Sequence, residues 1–259
     1  MYNLNTHIGY KSLSEYLGKF ITLTNEEHMF FDEFLKECMC CAENIANSIN
    51  ENNYAVYGFN YFEKRYYPNH INELRIAIKN KVIGDIFELF AGFFVQYFDT
   101  GYEWGIRKGT YNFGGGLNND FAEADLGMDG FGLFTSTNEN AVMQVKYRSN
   151  PNDKPFNKDV FMSLFGEAIL KKKIESNNSN QRLIFFTNIP IGTASSWDGK
   201  TKQFNDCCAA CEVPVVKVGY NEIVNLVGCK KMNRYNADFW HTFHKQFVIN
   251  NENQRMISW

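Results

Sequence analysis

A chain of 259 residues with 44% hydrophobic and 16% aromatic side chains can bury a sizeable core, which argues against disorder. Its formal charge of -3 excludes a protein that coats nucleic acid indiscriminately, so any such contact has to come from a local basic region. With no apolar run of about eighteen residues, and no basic-then-apolar leader in "MYNLNTHIGYKSL", the expectation is a soluble, cytoplasmic or otherwise intracellular protein without a membrane partner.

The cysteines number 7, an odd count with adjacent pairs at Cys40–Cys41 and Cys207–Cys208, so reduced thiols are expected rather than a disulfide framework. Richness in Asn, Tyr, Phe and Lys is that of an AT-rich coding sequence, viral or from a low-GC microbe. In chain order, Thr24 and Glu27 have capping-box spacing, and Phe30, Phe31, Phe34, Leu35, Cys38 and Cys41 recur at helical spacing, predicting a helix to about Asn50. The aromatic stretch "NYAVYGFNYFEKRYYPNH" carries only Lys64 and Arg65 as cations and reads as core, not as a base-stacking platform.

A second helix is predicted from about Ile71 to Phe98, with Ile83, Ile86, Phe87, Phe90, Phe94 and Tyr97 as its apolar stripe and Glu88 set within it. The Gly- and Asn-rich segment that follows reads as turns between short strands. Its Gly114–Gly116 run lacks the Gly-Lys-Ser/Thr of a phosphate-binding loop. Met128–Phe134 and Ala141–Tyr147 read as a β-hairpin closed by "TSTNEN". Then come a helix over "FNKDVFMSLFGEAILKKKI", a buried strand "RLIFFTN", a short helix "KTKQFNDCCAACE", a strand "VPVVKV", a helix "NEIVNLV" and an aromatic helix "ADFWHTFHKQF". This order predicts an α/β fold, a central mixed sheet flanked by helices. The chain divides into a mostly helical accessory region (1–75), a core (76–232) and a C-terminal helix with its tail (233–259).

The stretch "DLGMDGFGLFTSTNENAVMQVKYR", Asp125 to Arg148, suggests chemistry. Phosphodiester hydrolysis needs an activated water, a divalent cation and a cationic group near the phosphate. Residues two apart on a strand face the same way, so Gln144 and Lys146 share a face and Val145 points into the core. Asp129 stands on the preceding strand, and Glu88 on the neighbouring helix can complete an oxygen-rich shell of the kind Mg²⁺ prefers.

Three motifs together, "GDIFE" (Gly84–Glu88), "DLGMDG" (Asp125–Gly130) and "VMQVKYR", resemble the Mrr-type branch of the restriction-endonuclease-like, or PD-(D/E)xK, nuclease superfamily. Their family counterparts are Gly-x-x-Phe-Glu, Asp-x-Gly-x-Asp-Gly and Gln-x-Lys. The basic segment after Lys154, "LIFFTN" and "VVKVGYNEIVNLV" extend the resemblance over about residues 76–228. It implies a restriction-endonuclease-like core with Asp129 as principal metal ligand and Gln144 in the place usually held by Glu. The Val145 carbonyl would also face the ion, Glu88 would bind it through water, and Asp125 is either a further ligand or a turn cap. Lys146 would orient the water or stabilise charge on the phosphate. Gln is a neutral and therefore poorer ligand than Glu, which admits a non-cleaving member.

Between Gln144 and Arg182 the cations Lys146, Arg148, Lys154, Lys158, Lys171, Lys172, Lys173 and Arg182 outweigh Asp153, Asp159, Glu167 and Glu175, as expected of a DNA-tracking surface. The lysine triplet equally suits a helix C-terminus. Two other constellations are weaker. Cys207, Cys208, Cys211 and Cys229 do not match the compact late triplet of iron–sulfur nucleases and read as core thiols. His241 and His244 lack a third ligand for zinc. The expectation is a homodimeric, Mg²⁺-dependent DNA endonuclease of restriction type, with Mn²⁺ able to substitute. Its alternatives are a structure-specific nuclease and a silent DNA-binding module that keeps the fold.

Overall fold

The structure, a computed structural model, describes residues 30–48, 71–98, 110–113, 130–134, 139–149, 181–191 and 215–243, with helical positions 206 and 209. The expected helix over 156–174 and the 24–27 capping box lie outside the described residues. The chain packs as two compact units, one containing Glu88–Val224 and the other joining Asn3–Phe87 to Asn225–Trp259. Both breaks fall inside helices, whereas the sequence division was drawn at 75 and 232. No composition shift marks a helix that contributes each of its halves to a different core.

The fold is α/β. The unit containing Glu88–Val224 is built on a five-stranded sheet in the order β1-β2-β3-β4-β5. Its strands are β1 (Thr110–Phe113), β2 (Gly130–Phe134), β3 (Glu139–Lys146), β4 (Gln181–Thr187) and β5 (Val215–Val218). The first three pair antiparallel, with Gly130 opposite Met143, and β3, β4 and β5 run parallel, with Val145 beside Phe186 and Phe186 beside Val218. Helix α1 is Phe31–Ser48 and α2 is Ile71–Tyr97, close to the spans expected from their periodicity. β1 went unrecognised in the sequence because "TYNF" is too short and too glycine-flanked to show alternation.

β4 is buried on both faces from Leu183 to Thr187, which is why "LIFF" reads as a continuous apolar run instead of an alternating one. One face is covered by the second half of α2: Phe90 and Phe94 meet the Phe186 ring edge-on at 6.3 and 5.3 Å. After β5, Gly219 caps helix α3 (Tyr220–Val227), its N–H donating to the Glu222 carboxylate at 2.9 Å. A side chain at 219 would place its Cβ within 2.9 Å of the Ile189 carbonyl and the Ile191 N, so this close approach requires glycine.

In the other unit, α1 turns Phe31, Phe34, Cys38, Ala42 and Ala46 inward. Phe34 meets Trp240 and Phe243, both 5.6 Å away, from the helical residues 237–243. Lys79 of α2 pairs with Glu43 of α1. Between α3 and residue 237 lies a two-stranded ribbon, β6 (Gly228–Cys229) and β7 (Arg234–Tyr235), turned by a 3₁₀ segment, Lys230–Met232. Cys229 Sγ donates to Asp32 Oδ2 at 3.1 Å and Lys230 Nζ lies 3.3 Å from Glu33, tying the ribbon to the first turn of α1. N- and C-terminal segments thus build one core together.

Burial, and secondarily the neighbouring Cys41 and Glu37, push the Cys38 thiol well above the ordinary cysteine range. Cys40, exposed on the same helix, is expected to be alkylated by iodoacetamide at neutral pH long before Cys38, as peptide mass mapping will show. The sign for stability follows from linkage. Above the ordinary thiol value the unfolded chain loses a proton that native Cys38 retains, so this contribution is full below that pH and declines as pH rises beyond it.

Candidate active site on the central sheet

Successive side chains of a strand alternate between faces, and residues paired across neighbouring strands share one. Val145, beside Phe186, therefore faces α2. Gln144 and Lys146 face the other way, in rows with Phe185 and Thr187 respectively. Phe185 is in turn beside Lys217 of β5, so a second cation shares this face, about 10 Å from Gln144 at the usual strand spacing. Lys217 was missed in the sequence because "VPVVKV" reads as a buried apolar strand. Only the register shows which face Lys217 shares.

Lys146 and Thr187 end parallel strands, and the carboxyl ends of parallel strands are where open α/β sheets bind ligands. Beyond them the chain is held by Asn188. Its Oδ1 accepts from the Arg148 N–H at 2.7 Å, and its Nδ2 donates to the Arg148 carbonyl, also at 2.7 Å. The amide side chain thereby continues the β3–β4 ladder one step past the strand ends and fixes the backbone two residues after Lys146. Asn188→Ala leaves both Arg148 groups without that partner and is expected to cost about 1–3 kcal/mol, read as a lower urea midpoint.

Gln144 is 2% exposed, and its carbonyl oxygen Oε1 is buried with no hydrogen-bond partner. An unsatisfied buried acceptor costs about 1–3 kcal/mol, and natural proteins keep few of them. Here it lies on the same face as the half-buried ammonium of Lys146, for which no hydrogen bond or ion pair is found among the described residues. An inward-aimed carbonyl oxygen beside a cation is the donor geometry of a ligand site.

Among the expected site residues, the structure unites Gln144 and Lys146 and directs Val145 to the opposite face. Glu88 is half-buried on α2, the helix whose Phe90 and Phe94 rest on the Phe186 face, and no hydrogen bond or ion pair joins it to Gln144 or Lys146. Arg148 is half-buried, with its backbone clamped by Asn188. Asp125, Asp129, Lys154, Lys158, Lys171, Lys172 and Lys173 lie outside the described residues, as do Cys207, Cys208, Cys211 and His244. β2 begins at Gly130 opposite Met143, which makes Asp129 and Gln144 the chain neighbours of that last pair.

Among the described residues no group of three or more His, Cys, Asp or Glu side chains could hold a metal ion. Cys229 is engaged with Asp32, and His241 is exposed. No helix among them is long and apolar enough to cross a membrane.

No family model matches the chain, and neither a curated protein nor a solved structure is significantly similar to it.

Proposed function

We propose that the chain is a divalent-metal-dependent DNA endonuclease of restriction type, with a restriction-endonuclease-like core. The observation that carries this reading is the buried, unpartnered carbonyl oxygen of Gln144 on the Lys146 face, at the strand end that adjoins β2. The "DLGMDG" and "MQVK" motifs place Asp129 just ahead of β2 and Lys146 at the end of β3. The mixed sheet with a helix across one face is compatible with that core.

The residues present fit a hard divalent cation: Asp129 supplies charge, and the Gln144 amide and Val145 carbonyl supply neutral oxygens, with Glu88 and Asp125 as further acids. Mg²⁺, or Mn²⁺ in its place, would contribute charge neutralisation and an acidified water when bound. Gln144 holds its oxygen rigid and dry but cannot take up a proton. Proton handling therefore falls to the carboxylates and solvent, and Lys146 stabilises negative charge developing on the phosphate. The rigid clamp from Asn188 to Arg148 holds the strand end that carries Lys146. Two copies of the chain would serve the two strands of a duplex.

A neutral amide where a carboxylate would bind more tightly favours one second reading, a silent DNA-binding module. Gln144→Glu separates them without an activity assay. In a metal site the added charge raises Mg²⁺ affinity, expected at about tenfold and read as thermal stabilisation at lower metal concentration. In a site that binds no metal it buries an unpaired carboxylate and lowers stability at every Mg²⁺ concentration.

The decisive experiment incubates native protein with supercoiled plasmid and with branched DNA in Mg²⁺ or Mn²⁺. Plasmid cleavage supports the restriction-type reading, and cleavage confined to branched DNA reassigns the chain to structure-specific processing. DNA binding without cleavage in either metal leaves the silent module.

A further inference from the structure

We infer that the β6–β7 turn is a nucleic-acid contact separate from the site on the sheet, gripping the phosphate backbone of a duplex through Lys230, Lys231 and Arg234. Its choice of partner rests on the reading of the chain as DNA-acting. Its geometry does not.

Residues Lys230 to Arg234 are all exposed, the longest such run among the described residues. They comprise Lys-Lys-Met-Asn-Arg, three cations with no acid, in a chain whose formal charge is -3. Met232 is 49% exposed at the tip, one of two large hydrophobic side chains left exposed among the described residues. Lys231 makes no hydrogen bond or ion pair among them. Lys230 leans on Glu33 at 3.3 Å with 74% of its side chain exposed, and such an exposed pair holds the ammonium only weakly. Asp238, exposed on the following helix, is the next acid along the chain.

The frame beneath this tip is built to hold one shape. Gly228 takes φ 101°, and a Cβ there would stand 2.3 Å from the Arg234 carbonyl oxygen, so only glycine fits. Asn233 adopts the left-handed conformation (φ 46°, ψ 39°) and donates its N–H to the Lys230 carbonyl at 3.2 Å. Asn236 Nδ2 donates to the Leu226 carbonyl at 2.9 Å, Trp240 Nε1 to the Val227 carbonyl at 2.9 Å, and Arg234 Nη1 to the Asn225 carbonyl at 3.3 Å. A solvated surface turn needs none of this. A pre-ordered cationic tip with an apolar side chain at its apex suits a duplex, where backbone charge supplies affinity and a methionine packs against sugar or a base step.

The test uses the full chain and a labelled duplex with EDTA present, so that nothing is cut, and follows fluorescence anisotropy across a salt series. Lys230→Ala/Lys231→Ala is expected to weaken binding about tenfold at low salt and to flatten the slope of log affinity against log salt by about two. Lys230→Arg/Lys231→Arg should restore both. Circular dichroism confirms that each variant is folded, since neither lysine supports the core. Unchanged affinity and slope overturn the proposal, as does binding of a polyglutamate peptide by a chain that binds no duplex. If native protein cleaves plasmid while the alanine variant binds normally, this contact fails and the nuclease reading stands. If the slope changes but nothing is ever cleaved, the contact stands and the nuclease reading fails.

Discussion

Lys146→Ala and Asp129→Ala are each expected to reduce plasmid cleavage by about 100-fold or more while leaving the protein folded, the usual scale for removing one group that stabilises charge in the transition state. Lys146 ends a strand, is half-buried and makes no ion pair among the described residues, so its removal breaks no structural bond. Its effect belongs to chemistry. Lys146→Arg keeps the charge but replaces a compact ammonium with a planar fork, and it is expected to recover only part of the rate. Single-turnover cleavage with saturating enzyme separates the chemical step from binding. Loss in the single-turnover rate at unchanged duplex affinity is the expected pattern, and equal loss in both would reduce Lys146 to a DNA-binding cation.

Trp240→Ala is expected to unfold the unit that joins the two ends of the chain. Trp240 is 1% exposed, stands 5.6 Å from Phe34, 5.0 Å from Phe239 and 5.8 Å from Phe243 between ring centroids, and donates Nε1–H to the Val227 carbonyl. Truncating so large a buried ring costs about 3–5 kcal/mol. Whole domains are stable by about 5–15 kcal/mol, so the variant sits near or past the threshold. Trp240→Phe keeps most of the ring contacts but orphans the Val227 carbonyl, for a smaller loss of about 1–3 kcal/mol. Urea denaturation followed by circular dichroism measures both. A loss under about 1 kcal/mol for Trp240→Ala would mean that the ends of the chain do not depend on this core.

Much of the local structure was legible in the sequence because it depends on neighbours along the chain. Phe31, Phe34 and Cys38 recur at helical spacing and are buried on α1 as that spacing requires. "LIFF" and "VVKV" are strands β4 and β5, and "NEIVNLV" lies within α3, whose capping Glu222 is part of the same run. The alternation that puts Gln144 and Lys146 on one face is a property of any strand, and β3 realises it.

Other features depend on which strand lies beside which, and no periodicity encodes that. "TYNF" becomes a strand only by pairing with β2, from Thr110 opposite Leu133 to Phe113 opposite Gly130. Lys217 joins the Gln144 face only through Phe185 of the strand between them, and Asn188 becomes a clamp only where β4 ends beside β3. The union of the two chain ends rests on rings more than 200 positions apart, Phe34 with Trp240 and Phe243.

By itself, then, the sequence determined the elements, their inward faces and the residue types able to do phosphodiester chemistry, since backbone geometry sets those within a few residues. Only the tertiary structure decided that the Gln144 oxygen is buried without a partner and that Lys230 to Arg234 stand exposed on a rigid turn. Burial and hydrogen-bond satisfaction are properties of surroundings, and those surroundings are brought together by contacts distant in the chain.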